Sequence, residues 1–205
     1  MTDKPSLRDM KKEATAQALA NAAFELALEQ GLDGFVVEDV VQQAGYSRRT
    51  FANHFSCKEE AVAMGIVTFK GAEEIEQWLA SLPASTHPLD MLYRLMKMQL
   101  TGEYLRKMHE LVSLSKRYPT LEPYILSVLR HLQTAAQETI LEWARDRYPE
   151  GYTHLLAGAV YGAMLPLFDG TLNVLLPGQS EADHPGATSF EQYLDMTFGY
   201  LRNGF

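Results

Sequence analysis

The chain predicts an all-α protein, and three observations carry that prediction. Apolar residues recur at spacings of three and four through most of its 205 residues. Turn-forming breaks such as Asp33-Gly34 and Pro83 to Pro88 (PASTHP) fall between those periodic stretches. No stretch alternates in the manner of a strand.

Met1 to about Asp9 is polar and predicts a mobile arm, whose Lys4 and Arg8, with Lys11 and Lys12 beyond it, are available to phosphates or to solvent. Thr15 to Gln30 predicts the first helix, with Leu19, Ala23, Leu26 and Ala27 on one side and Gly31 at its end. From Val37 the chain reads VEDVVQQAGYSRRTFANHFSCK. Val37, Val40, Val41 and Ala44 form one apolar face, and Gly45 is suited to the positive φ that closes a helix. Ser47 is placed to cap the next short helix, which Phe51 and Phe55 anchor from one side. Arg48, Arg49, Asn53 and part of His54 stay on other faces. Ser56, with Glu59 three residues on, has the spacing of a capping box. Two short helices around a glycine turn, the second rich in Arg and Asn, are the sequence form of a helix-turn-helix.

The same stretch resembles the DNA-binding signature of the TetR family of bacterial repressors. The resemblance rests on Ala44, Gly45 and Ser47, then Phe51, His54 and Phe55, then Lys58, and extends back through ALANAAFELALEQGLDGF. It covers the first quarter to third of the chain. Two positions depart from the family pattern. The Ser or Thr that usually precedes the first helix of the motif is replaced by Phe35 and Val36, leaving Asp33, Gly34 or nothing as cap. The Tyr that often follows Phe51 is Ala52.

Beyond the motif, Lys58 to about Ser81 predicts one long helix carrying Ile66, Phe69, Ile75, Trp78 and Leu79, a lever in a regulator. Further helices are expected over Leu89–Leu100, Tyr104–Lys116, Glu122 to about Tyr148, Thr153–Leu176 and Ser189–Asn203, with a loop over Pro177–Gly186. The resulting organisation is a three-helix DNA-binding domain over residues 1–57 and a helical effector-binding and dimerisation domain over 58–205. Leu156, Ala159, Val160, Ala163, Met164 and Leu167 give the Thr153 helix a broad apolar stripe. With the last helix it forms half of a four-helix dimer interface, as the family resemblance also implies.

Composition bounds the function. Hydrophobic residues make up 46% and charged residues 21%, as in a soluble globular protein with a substantial core. A net charge of -8 argues against a bulk polyanion binder, and only a local basic patch can serve DNA. Residues 1–60 hold seven Lys/Arg against ten Asp/Glu, but the seven cluster in the N-terminal arm and around the second motif helix. One cysteine, Cys57, excludes an internal disulfide framework and suits a reducing cytoplasm; beside a helix N-terminus it reads as a cap-loop residue or a redox-sensitive thiol. No secretory signal or membrane span is legible. Gly-rich phosphate loops, GxSxG, HExxH and metal-ligand spacings are absent, so neither enzyme activity, cofactor nor metal is expected.

These readings lead to a homodimeric repressor that binds a palindromic operator and is released by a partly apolar small molecule. In it Arg48, Arg49, Thr50 and Asn53 meet the major groove, with Arg suited to guanine and Asn to adenine. Ser47, His54, Lys58 and Thr15 contact phosphates. Methionine and aromatic side chains suit an adaptable effector pocket, for which Trp78, Tyr93, Met96, Tyr104 and Met108 are candidates. His109, Tyr124, Tyr161, Met164 and Asp169 complete the set, with Met91, Met98 and Asn173 as lesser members. The rival readings are a ligand-binding or enzymatic helical protein with a vestigial helix-turn-helix, and an activator of the same fold.

Overall fold

The computed structural model describes residues 6–67, 72–83, 85–144, 147–169 and 171–204. Within them the chain is all-α apart from one two-residue parallel ladder. It divides into two compact units, Met1–Ile75 with Ser113–Val128, and Glu76–Val112 with Leu129–Phe205.

The first unit is built on α1 (Leu7–Gln30), which packs against α2 (Val37–Ala44) and α4 (Lys58–Met64). Its buried face is nearly continuous from Leu19 to Ala27, with Leu19, Phe24 and Leu26 as its largest members. The helix starts earlier than the predicted Thr15. Ser6 Oγ accepts from the Asp9 N–H at 3.3 Å, and the Asp9 carboxylate accepts from the Ser6 N–H at 3.2 Å, a reciprocal capping box. Residues 1–5 of the expected arm lie outside the described residues. The 3₁₀ turn Pro119–Leu121 adds a fully buried Leu121 against α4.

The expected continuous helix from Lys58 to Ser81 is not observed: α4 stops at Met64, and α5 (Ala72–Ser81) begins afresh. Gly65 marks the stop. A Cβ there would stand 2.9 Å from the Ala20 carbonyl oxygen and closer still to Phe24 Cβ, so only glycine lets the chain pass this near α1. Ile66, expected in the second domain, is buried in the first unit, and Phe69 lies outside the described residues.

The second unit holds α6 (Pro88–Gln99), the first part of α7 (Gly102–Arg117), most of α8 (Glu122–Trp143), α9 (Glu150–Asp169) and α10 (Phe190–Asn203). Met91, Leu92, Leu95 and Met96 of α6, Val160 and Met164 of α9, and Leu194 and Phe198 of α10 are buried. Polar pairs tie α10 into this core: Tyr93 donates to Asp195, Arg202 pairs with Asp90, and the Tyr193 hydroxyl donates to the Ala163 carbonyl at 2.6 Å.

The helix expected to reach Leu176 ends at Asp169. Val174–Leu175 (β1) instead pairs in parallel with Thr188–Ser189 (β2), correcting the strand-free expectation. Asn173 holds this closure from both sides: its carbonyl accepts from the Thr188 N–H at 3.1 Å and its amide donates to the Pro185 carbonyl at 3.2 Å.

Candidate nucleic-acid interface

Short helices cannot hold themselves, so the geometry of this region depends on its caps and its two phenylalanines. The α2 N-terminus lacks the hydroxyl cap, and neither Asp33 nor Gly34 supplies one. Asp39, in the first turn of α2, reaches back to accept from the Val36 N–H at 2.8 Å. Gly45 closes α2 at φ 75°, ψ 30°, the left-handed conformation that favours glycine. Ser47 caps α3 (Arg48–Ala52), accepting from the Thr50 N–H at 3.1 Å, and its hydroxyl lies 2.8 Å from that of Thr50. Phe51 and Phe55 are buried with ring centroids 5.6 Å apart, pinning one side of α3 to the unit.

The opposite side is open. Ser47, Arg48, Arg49 and Asn53 are exposed, and Thr50 and His54 are half-buried. Arg48 Nη1 bonds Glu38 Oε1 of α2 at 2.6 Å. The Arg49 guanidinium has no partner among the described residues. His54 is turned partly inward against Phe55, and burial, helped by the Lys12 charge, lowers its pKa.

The remaining predicted contacts are more constrained. Lys58 Nζ donates to the carbonyls of Leu32 at 2.6 Å and Phe35 at 2.8 Å, and lies 4.9 Å from the Phe35 ring centroid. An ammonium has three N–H bonds, so one remains. Thr15 Oγ1 donates to the Lys11 carbonyl one turn back, at 2.8 Å. At the start of α4 the cap is shifted by one residue from the expected Ser56/Glu59 pair. Cys57 Sγ accepts from the Glu60 N–H at 3.5 Å, while the Glu60 carboxylate accepts from the Ser56 N–H at 2.7 Å and hydroxyl at 2.6 Å. Sequence reasoning missed Glu38 and Asp39; the Asp39 spacing to Val36 was a legible signal, whereas the reach of Glu38 depends on the angle between α2 and α3.

The candidate effector residues scatter more widely. Met96, Met108 and Met164 are buried in the second unit, beside the lesser candidate Met91, and Trp78 and Tyr93 are half-buried there. Tyr104 of α7 lies close enough to Tyr161 of α9 to sense it. Burial pushes Tyr161 up to about 12, and burial, then Tyr161, push Tyr104 up as well. His109 and Met98 are exposed. Tyr124 stands in the first unit, where the neighbouring Cys57 raises its pKa, and the Asp169 side chain lies outside the described residues. A surface groove of about 560 Å³ does occur in the second unit, lined by His87, Asp90, Tyr152, Leu155, Leu156 and Arg202 among others, but none of the candidates lines it.

A glycine-closed α2, a capped and solvent-facing α3, and a packed α1–α4 frame define a helix-turn-helix protein. Residues 19–63 match the family model described as bacterial regulatory proteins, tetR family. The helix-turn-helix region is thus similar to that of the TetR family of regulators. It is 34% identical over 91 residues to the HTH-type transcriptional regulator TcmR of Streptomyces glaucescens, a match covering 43% of this chain and 38% of the relative. The chain thus spans well under two thirds of the curated relative it matches. Among solved structures, it is similar to a protein of Mesorhizobium loti assigned as a TetR-family transcriptional regulator, at 19% identity, TM-score 0.48, covering 92% of this chain and 95% of the other. It is also similar to a transcriptional regulator from Rhodococcus sp. Rha1, at 25% identity, TM-score 0.45, covering 92% and 96%. No helix among the described residues is long and apolar enough to cross a membrane.

Proposed function

We propose that the chain is a homodimeric, ligand-responsive repressor that binds a palindromic DNA operator in the cytoplasm. The observation that carries this reading is α3: five residues capped by Ser47, pinned by Phe51, and presenting Arg48, Arg49 and Asn53 to solvent. So short a helix has no structural reason to expose that set, and it has the size and chemistry to enter a major groove. Ser47, His54, Thr15 and the free N–H of Lys58 then serve phosphates and set register, and Thr50 lies at the groove edge. The functional division falls near Cys57, with effector binding and dimerisation assigned to the remainder.

One α3 touches only a few base pairs, so specific binding requires a second copy. Support for a dimer comes from α9 and α10. Leu155, Ala159, Gly162 and Leu165 form an exposed stripe along α9, and Met196 and Tyr200 lie exposed four apart on α10. Leu155 is 73% exposed, an apolar side chain that a partner copy would cover. The effector is assigned to the second unit, where Tyr104 and Tyr161 place two desolvated phenols beside α7 and α9 residues as adaptable as Met108 and Met164. Release requires that the ligand bind the DNA-incompetent state more tightly.

The test is a mobility shift of the purified chain on its own upstream DNA across a salt series. Saturable binding to one palindromic segment, abolished by scrambling its half-sites, is the expected result. Weak binding to any duplex, erased by salt, would remove the specific-repressor reading.

A further inference from the structure

We propose that Arg49, and not Arg48, reads the operator base, and that Glu38 holds Arg48 out of base recognition. The inference rests on the DNA-binding reading above and assigns its specificity residue. The sequence presents two adjacent arginines with equal claims. The structure makes them unequal.

Reading a guanine requires the guanidinium fork to donate two parallel N–H bonds to O6 and N7. Arg48 Nη1 already donates to Glu38 Oε1 at 2.6 Å. To turn both Nη groups squarely to a base it must give up that carboxylate, leaving Glu38 without its partner. Arg49 has no such commitment among the described residues. The other cation of the motif, Lys58, is turned onto the Leu32 and Phe35 carbonyls. Arg49 is therefore the one motif cation among the described residues with all of its side-chain donors uncommitted.

The Arg48–Glu38 pair is not locked. Its side chains are 76% and 54% exposed, so water competes at both ends. This suits a positioning role: Glu38 lowers the net positive charge of α3 and keeps Arg48 from gripping phosphates on any sequence. Removing the carboxylate frees that cation for the backbone, where it adds affinity without adding information.

The experiment uses the full-length chain and duplexes that the unaltered protein selects from a random-sequence pool. Affinity for a selected duplex and for its scrambled counterpart is measured over a salt series. Arg49→Lys keeps the charge and loses the fork; it should lower the selected-to-scrambled ratio by about tenfold or more while leaving scrambled-duplex affinity nearly unchanged. Arg48→Ala leaves the Glu38 charge uncompensated and should therefore weaken both duplexes alike. Glu38→Gln should tighten both and steepen the salt dependence by about 0.9 in log–log slope for each chain bound. The inference is overturned if Arg48→Ala collapses the ratio while Arg49→Lys preserves it, since Glu38 would then be orienting a base-reading Arg48. An unchanged salt slope in Glu38→Gln overturns the holding role. If the unaltered chain selects no duplex, the DNA-binding reading fails first, and that outcome is visible before any variant is made.

Discussion

The two units are stabilised by different chemistry. In the first, three short helices pack around the buried face of α1 and depend on their ends: Asp39, Ser47 and Cys57 each satisfy a free backbone N–H, as Ser6 does for α1, and Lys58 satisfies two carbonyls. In the second, helices of up to 20 residues are held along their lengths by buried Leu, Met and Phe, with a few polar ties between elements. A frame fixed at helix ends keeps its outer faces free, which is what a recognition surface needs. A frame fixed along helix faces has an interior to open, which is what an effector site needs. The contrast can be broken most directly by removing one ring from each. Phe51→Ala and Phe198→Ala, both buried, should each cost about 3–5 kcal/mol. Both tryptophans, Trp78 and Trp143, lie in the second unit. Urea unfolding of Phe51→Ala should therefore show far-UV helicity falling before tryptophan emission changes, while Phe198→Ala reverses that order. Coincident transitions in both variants would mean that the difference in chemistry is not a difference in cooperativity.

A smaller effect sharpens the role of backbone satisfaction. Lys58→Met keeps the aliphatic stem over Phe35 but leaves the Leu32 and Phe35 carbonyls without their ammonium. Hydrogen bonds to a charged group of this kind contribute about 1.5–3 kcal/mol. The urea midpoint should fall accordingly, and DNA affinity should fall with it. A variant that loses DNA affinity and salt slope with no loss of midpoint would make Lys58 a phosphate contact alone.

How far each unit was legible follows from the same contrast. End chemistry is local, so Gly45, Ser47 and the Phe51/Phe55 pair identified the turn, the cap and the anchored face within a twelve-residue window. Where the local rule has an unusual member, the reading slipped. Cys57 is a weak acceptor and was passed over in favour of Ser56, which moved the cap by one residue. Asp39 escapes a rule that looks for the cap before the helix, because it satisfies the Val36 N–H from within the first turn of α2. Features created by packing were out of reach. The stop at Gly65 depends on how closely α4 approaches α1, and a single glycine in a periodic apolar run does not announce that. The end of α9 was overrun because Leu172, Val174 and Leu175 continue its apolar character; only pairing with Thr188 and Ser189 makes them a ladder. The effector candidates were chosen by residue type, and type does not say which side chains converge. Tyr104 and Tyr161 did, while Tyr124 went to the first unit beside Cys57.

Capping itself offers a matched pair. Ser47 starts the five-residue α3, and Ser189 starts the fourteen-residue α10, where it accepts from the Gln192 N–H at 3.2 Å. Replacing either by Ala should cost about 0.5–2 kcal/mol. The stability losses should be similar, because one N–H is orphaned in each. Their consequences should not be. Ser47→Ala loosens the helix that presents Arg48 and Arg49, and DNA affinity should drop in a mobility shift; Ser189→Ala should leave it unchanged. Equal losses of affinity would tie operator binding to the second unit's integrity rather than to α3.

The smallest expected effects lie at opposite ends of the pH scale. Burial raises the Tyr161 phenol to about 12 and raises Tyr104 with it. The unfolded chain ionises its tyrosines near 10, so this stabilisation is complete below that value and is lost as pH rises towards 12. Tryptophan-detected urea midpoints should decline over that window, and Tyr161→Phe should flatten the decline. His54 works in the other direction. Burial, then Lys12, lowers its pKa below the ordinary 6.5, so its contribution is present above that value and is lost as pH falls through the lowered one. The titration of its ring resonance, the sole histidine signal of the first unit, should track a falling midpoint for that unit, and His54→Gln should abolish the dependence. DNA affinity should move oppositely over the same interval, because a protonated His54 gains a charge and a second donor for phosphate. If affinity fell together with stability in acid, His54 would be a packing residue of the α3–α4 turn with no part in the interface.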